Sequence, residues 1–141
     1  MVPVNYWAVV AAAVFMMILG AVWYGPLFGK KWAALMGFAL PDAMDAETRR
    51  KMLKSYGLMA LGALVMSFSL SHALTFASAY LGVGGVYAGL QAGFWNWLGF
   101  IVPVTMGTVL WEDKPWTLWF INVGYYLLGL LSIGVLLAIW M

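Results

Sequence analysis

The chain contains no cysteine. That excludes disulfides, thiolate metal sites and cysteine nucleophiles. It leaves the redox compartment open. There is one histidine, His72, so a multi-histidine metal site cannot form within one chain. Only an oligomer could gather several imidazoles. No cofactor and no metal is expected. Charge is scarce as well: 9% of the 141 residues are Asp, Glu, Lys or Arg, and the net charge is +2. Soluble domains are about a quarter charged. No basic stripe with interleaved aromatics is present, which argues against nucleic acid as a partner. The sequence holds no G-x-S-x-G, no H-E-x-x-H and no phosphate loop. Gly82-Val83-Gly84-Gly85 follows no strand pattern and has no acidic residue about 20 positions on, so it reads as a turn and not as a dinucleotide fingerprint. Glu112 and Asp113 are neighbours on a short turn and should point apart, so they make a poor acid/base pair. A non-enzymatic protein is expected.

What is present is apolar and aromatic: 65% hydrophobic residues and 17% Phe, Trp and Tyr. Four long apolar runs cover residues 6–24, 57–81, 86–110 and 116–140. Each is near or above the ~20 residues that cross the hydrocarbon core. The first run is expected to be retained, because no Lys or Arg precedes Lys30 and no small-residue cleavage site follows. The last is expected to end at the membrane surface, since the chain stops at Met141. The fold class is therefore an all-α membrane protein: one domain over residues 1–141, a four-transmembrane-helix bundle embedded in a lipid bilayer. Trp7 and the Trp23-Tyr24 pair bracket the first span as interface anchors. Gly25-Pro26 should end that helix. Phe28, Trp32, Leu35 and Met36 recur at helical spacing with Lys30 and Lys31 between them, which predicts a short interfacial helix over 28–38; an irregular loop is the alternative. Asp42 is a plausible N-cap for a polar turn running into the second span, with Glu47 and Lys51 in the favourable i,i+4 order. Six of the seven Lys and Arg residues lie between the first and second runs, and Lys114 lies between the third and fourth. The positive-inside rule then puts loops 25–56 and 111–115 in the cytoplasm and both termini outside.

Small residues mark where helices meet in lipid. Gly85, Gly89 and Gly93 repeat every four residues on the third span. That helix-packing face is either internal to one chain or the seam of a homo-oligomer. Gly124, Gly129 and Gly134 step by five and drift around the fourth span. Pro103 should kink the third helix near Gly99. Asp113 or Lys114 should cap the fourth helix, with Pro115 in its first turn.

Two polar clusters fall at membrane depth. Ser67, Ser71, Thr75 and Ser78 share one face of the second span. His72 lies beside that face. Gln91 and Asn96 on the third span, and Ser132 on the fourth, lie in the same half of the bilayer. His72 with Ser71, Thr75, Gln91 and Asn96 is thus the candidate polar site. An ionisable residue at depth is by default a functional candidate. It could carry protons, hold an anion, or ligate a metal within an oligomer. The plainer role is a neutral histidine hydrogen-bonded to a serine, Gln91 or Asn96. The second cluster sits on the last hairpin, where Asn122 should make an interhelical hydrogen bond to Thr105 or Thr108.

N-Y-W-A-V at 5–9, W-Y-G-P-L-F-G-K at 23–30, W-L-G-F at 97–100, L-W-E-x-x-P-W at 110–116 and N-x-G-Y at 122–125 resemble the bacterial membrane family catalogued as domain of unknown function 1761. The resemblance covers essentially the whole chain. It implies a small four-span protein of the bacterial cytoplasmic membrane and brings no activity with it. Two roles are expected from the residues: a small oligomeric permeation or transport protein built around the His72 cluster, or a structural or accessory protein. The second would bind partner helices, or anionic lipid through Lys30, Lys31 and the basic residues of 49–54. Against transport stands the single span with an internal proline, where secondary transporters pair interrupted helices.

Overall fold

The computed structural model describes residues 4–38 and 45–140. Asn5 opens the first helix, α1 (Tyr6–Val22), by accepting hydrogen bonds from the backbone N–H groups of Trp7 and Ala8. Gly25-Pro26 does not end it, contrary to expectation. The helix widens into a π-helical turn, Trp23–Leu27, with Pro26 inside it. Phe28 N donates to Trp23 O at 2.9 Å, five residues back. Proline has no N–H for the ordinary four-residue ladder, and a five-residue step re-pairs the backbone on either side of it. The span thus continues over Tyr6–Leu27. A Cβ on Gly29 would lie 2.5 Å from Tyr24 O, so the exit from this turn requires glycine.

Next comes α2 (Gly29–Met36), the short helix expected between the first two spans, stopped by Gly37 at φ 76°. The Trp32 ring lies 5.4 Å from that of Tyr24, and Ala33 is buried, so α2 folds back against the bundle. Asp42 falls outside the described residues. The N-cap of the following helix, α3 (Ala46–Leu81), is Asp45, whose carboxylate accepts from Thr48 N at 2.8 Å. At about 1.5 Å per residue, these 36 residues run well beyond the ~30 Å hydrocarbon core. Gly82 and Gly85, both at positive φ (64° and 65°), reverse the chain.

The third span, Gly85–Leu110, is built in pieces. It comprises α4 (Gly85–Asn96), a second π-turn (Trp97–Ile101), α5 (Val102–Thr105) and α6 (Gly107–Leu110). Val102 N–H donates to Trp97 O, again five residues back, just ahead of Pro103. The expected kink is thus a change of helical register. Lys114 N donates to Thr108 O at 3.1 Å to close the hairpin turn, with Asp113 left-handed at φ 52°. Neither Asp113 nor Lys114 caps the last helix, α7 (Trp116–Ile139). Pro115 occupies the N-cap in extended conformation and no side chain bonds there; Asp113 is consumed by the turn.

All four spans are long and apolar enough to cross a membrane. α1 packs on α3 and α7, α4 packs on α7 and α3, and α3 and α7 meet across the middle. Ala12, Leu74 and Ile133 are wholly buried there, with Met16 and Leu137 beside them. The small-residue face is used inside the chain. A Cβ on Gly89 would strike the Gly134 carbonyl, and one on Gly93 the Leu130 carbonyl, so α4 and α7 touch backbone to backbone. Gly85 is not part of that face: it is exposed in the turn, with nothing within 4 Å of a Cβ position. The five-residue drift on α7 has a simple use. Gly124 faces Trp23, Gly129 faces Met16, and Gly134 faces α4.

Candidate functional site

Both π-turns begin with a tryptophan, and both tryptophans grip α7. Trp23 donates its indole N–H to Ile121 O at 3.0 Å. Trp97 donates to Val123 O at 2.9 Å. An indole N–H in hydrocarbon needs an acceptor, and two helix carbonyls two residues apart supply it. Trp23 and Tyr24, expected as interface anchors, turn into the bundle. Tyr24 OH donates to Asn122 Oδ1 at 3.0 Å, and Tyr125 OH donates to Met16 O at 3.0 Å. The Tyr24 and Tyr125 rings lie 5.2 Å apart. At the far end of the same pair of spans, Asn5 Nδ2 donates to Trp140 O at 2.9 Å. One asparagine therefore caps α1 and ties it to the last turn of the fourth span. Nothing in its sequence position signals the second bond.

Asn122 does bond between helices, but to Tyr24 of the first span and not to Thr105 or Thr108. Leu118, Asn122, Tyr125 and Gly129 step by four, three and four around α7 and form the face toward α1. Trp119, Val123 and Leu130 form the face toward the third span. Accordingly Trp119 Nε1 donates to Thr105 Oγ1 at 3.1 Å, while Thr108 Oγ1 donates to Thr105 O at 2.8 Å within its own arm.

On α3, Ser67 and Ser71 are buried, and Thr75 and Ser78 half-buried, so the expected polar face points inward. The Ser67 and Ser78 hydroxyls are buried, with no partner among the described residues. The residues proposed to join them are dispersed. His72 Nδ1 lies 3.0 Å from Phe68 O, and its ring lies 4.3 Å from the Phe68 ring. Phe68 in turn stacks on Tyr6 of α1. His72 therefore occupies the flank of α3 toward the first span. Gln91 is exposed and accepts from Trp95 Nε1 at 2.8 Å. Asn96 Nδ2 donates to Ala92 O at 2.8 Å. Among the described residues no hydrogen bond joins His72 to Gln91 or Asn96. Each bonds within its own helix, where a carbonyl four residues back, or a side chain one turn on, is the nearest partner.

Asn96 faces a different neighbour, Ser69. The two line a half-open cleft of about 170 Å³ with Met66, Leu70, Phe100, Ile101 and Leu130. Its walls come from α3, the end of α4, the second π-turn and α7. Ser69, Asn96 and Leu130 each lie near the middle of an apolar run, which puts the cleft at mid-membrane depth. Sequence reasoning passed over Ser69. Its signal is that it falls off the inward stripe of Ser67, Ser71 and Thr75, on the outward side of α3 about one turn before His72.

Four apolar spans laced by tryptophan, tyrosine and asparagine bonds define an integral membrane bundle. Over residues 7–138 the chain matches the family described as "Protein of unknown function (DUF1761)", and it belongs to that family of bacterial membrane proteins. No curated protein and no solved structure matches it. Three of the motifs that carried the resemblance, at 23–30, 97–100 and 122–125, are the ones that meet at the two π-turns.

Proposed function

We propose that this is a small non-enzymatic protein of the transport class, moving a solute across the bacterial cytoplasmic membrane as a homo-oligomer. The observation that carries the reading is the pair of Trp-initiated π-turns. Spans one and three, the first of each half of the chain, each carry one near a proline. The sequence shows one proline inside an apolar run; the fold has two π-turns, one within the third span and one forming the last turn of the first. Interrupted helices in corresponding positions mark binding sites in transporters, and π-turns recur at functional sites. The second π-turn also walls the mid-membrane cleft. The bundle axis is filled by Ala12, Leu74 and Ile133, so the route runs beside the third span or between copies. Both charged loops are cytoplasmic in this reading, with the termini and the glycine turn outside. The test is solute flux in proteoliposomes. We expect flux above protein-free liposomes, abolished by Leu70→Trp, which fills the cleft. Equal flux with and without protein would sink the proposal.

A second reading, an accessory protein held by anionic lipid, draws on α3. Its first turns carry Arg49, Arg50, Lys51 and Lys54, all exposed, on the part of the helix that exceeds the bilayer core. Flotation with anionic against zwitterionic vesicles tests it, for wild type and for a variant with the four basic residues changed to Gln. Indifference to lipid charge removes this reading.

A further inference from the structure

The cleft between α3, the end of α4, the second π-turn and α7 has unspent hydrogen-bonding capacity. The Asn96 amide nitrogen is used on Ala92 O, but among the described residues its Oδ1 has no partner. The Ser69 hydroxyl has none either. The two come from different helices and line one cavity. We infer that this cleft binds a small neutral molecule carrying a hydroxyl group, which enters sideways from the lipid.

The chemistry follows from the two groups. An amide oxygen only accepts, while a serine hydroxyl gives or takes. One O–H on the occupant serves both, donating to Asn96 Oδ1 and accepting from Ser69. A ketone or ether leaves Asn96 unmet. Among the described residues no acidic or basic side chain lines the cleft, and an ion brought to this depth would lose its hydration without compensation. Size narrows the choice further. A cavity of about 150 Å³ takes a benzene ring, and this one measures about 170 Å³. A phenol fits, as does the hydroxyl-bearing head of a longer molecule whose tail stays in lipid. Ser69 and Phe100 are exposed on the outer surface of the bundle, so the mouth opens to lipid. The buried serines of α3 face the opposite way, into the core. The site is the cleft on which the transport reading rests, but binding there does not require flux.

The experiment is photolabelling of the whole protein in lipid nanodiscs. Two probes are compared: a diazirine-bearing phenol and the same molecule with methyl in place of hydroxyl. Adducts are mapped by mass spectrometry. We expect the phenol to label residues 66–70 and 96–101 several-fold more than its methyl counterpart, the difference one hydrogen bond makes. Excess unlabelled phenol should compete, and toluene should not. Asn96→Leu and Ser69→Ala should each bring the phenol toward the level of the methyl probe. Both variants should fold, since Asn96 bonds only its own helix and Ser69 is exposed; their melting curves check this. Equal labelling by the two probes, adducts elsewhere, no labelling of the cleft (water as its only occupant), or unchanged labelling in both folded variants would each overturn the inference. Labelling without flux keeps the site and removes the transport reading; flux without labelling does the reverse.

Discussion

Gly93 and Trp97 sit one turn apart on the third span and hold it to α7 in opposite ways, one by having no side chain and one by reaching. A methyl on Gly93 would strike the Leu130 carbonyl and meet Leu131 Cα at 3.0 Å. Neither is a movable side-chain end, so the helices must part. Gly93→Ala should lower stability by about 1–3 kcal/mol, the usual range for overpacking. Gly99→Ala is the control, because nothing lies within 4 Å of its Cβ position. Thermal unfolding in mild detergent separates them; a Gly93→Ala protein as stable as Gly99→Ala would refute the close contact. For Trp97→Phe, loss of the bond to Val123 O should cost about 1 kcal/mol, measured by the same melts. Trp95→Phe, whose indole bonds Gln91 on its own helix and is exposed, should cost close to nothing. Equal losses at the two positions would mean that the interhelical bond contributes no stability. Gly89 and Gly93 were legible as a packing face because small residues at four-residue spacing have few other uses in lipid; Gly85 shares the spacing but belongs to the turn. The partners of Asn122, His72, Gln91 and Asn96 were not legible. In hydrocarbon a polar side chain has a ready acceptor in a carbonyl of its own helix, and His72 and Asn96 take it.

At the scale of elements, helix starts and stops divide by how local their causes are. Gly37, Gly82 and Gly85 take positive φ, and glycine clusters announce such turns. The π-turns are less local. Pro26 and Pro103 signal that the α ladder must break, but not whether the helix stops or widens. That outcome depends on Trp23 and Trp97 finding carbonyls on α7, a helix about 100 residues from the first and about 25 from the second. The cap of α3 is another such case: Asp42 was the expected N-cap, and Asp45, three residues on, makes the bond. Thr48, through its side chain first and its backbone N–H second, holds the Asp45 carboxyl below the usual carboxylate range. A depressed folded value means the cap is at full strength above the ordinary carboxylate pKa of about 3.9. It is lost as pH falls through the lower folded value. The Thr48 amide resonance should therefore titrate with a midpoint below about pH 3.9. A midpoint at or above that value would mean that the carboxylate is not held by Thr48. Since Asp45 is fully exposed, the consequence is fraying of the first turn, with the spans intact.

For the whole molecule, the four spans, their order and the helix between the first two were legible because apolar run length leaves little choice in a bilayer. Which spans touch was not, apart from the hairpin of the third and fourth. Contact between the first and fourth depends on long-range bonds such as Asn5 to Trp140 and Tyr125 to Met16. The same fold would sit in the membrane either way up, so orientation rests on charge alone. Lys30, Lys31, Arg49, Arg50, Lys51, Lys54 and Lys114 all lie at one end of the bundle, and the glycine turn at the other carries no charge. The lack of native cysteine makes this testable without background. A single cysteine at Val83, exposed in the glycine turn, should react with an impermeant maleimide in intact cells. One at Asp113, exposed in the opposite hairpin, should react only after the membrane is opened. The reverse pattern would invert the topology and move the basic end of α3 outside. Labelling of both positions in intact cells would mean dual insertion. For a chain with so strong a Lys and Arg imbalance, dual insertion would contradict the rule that sets orientation.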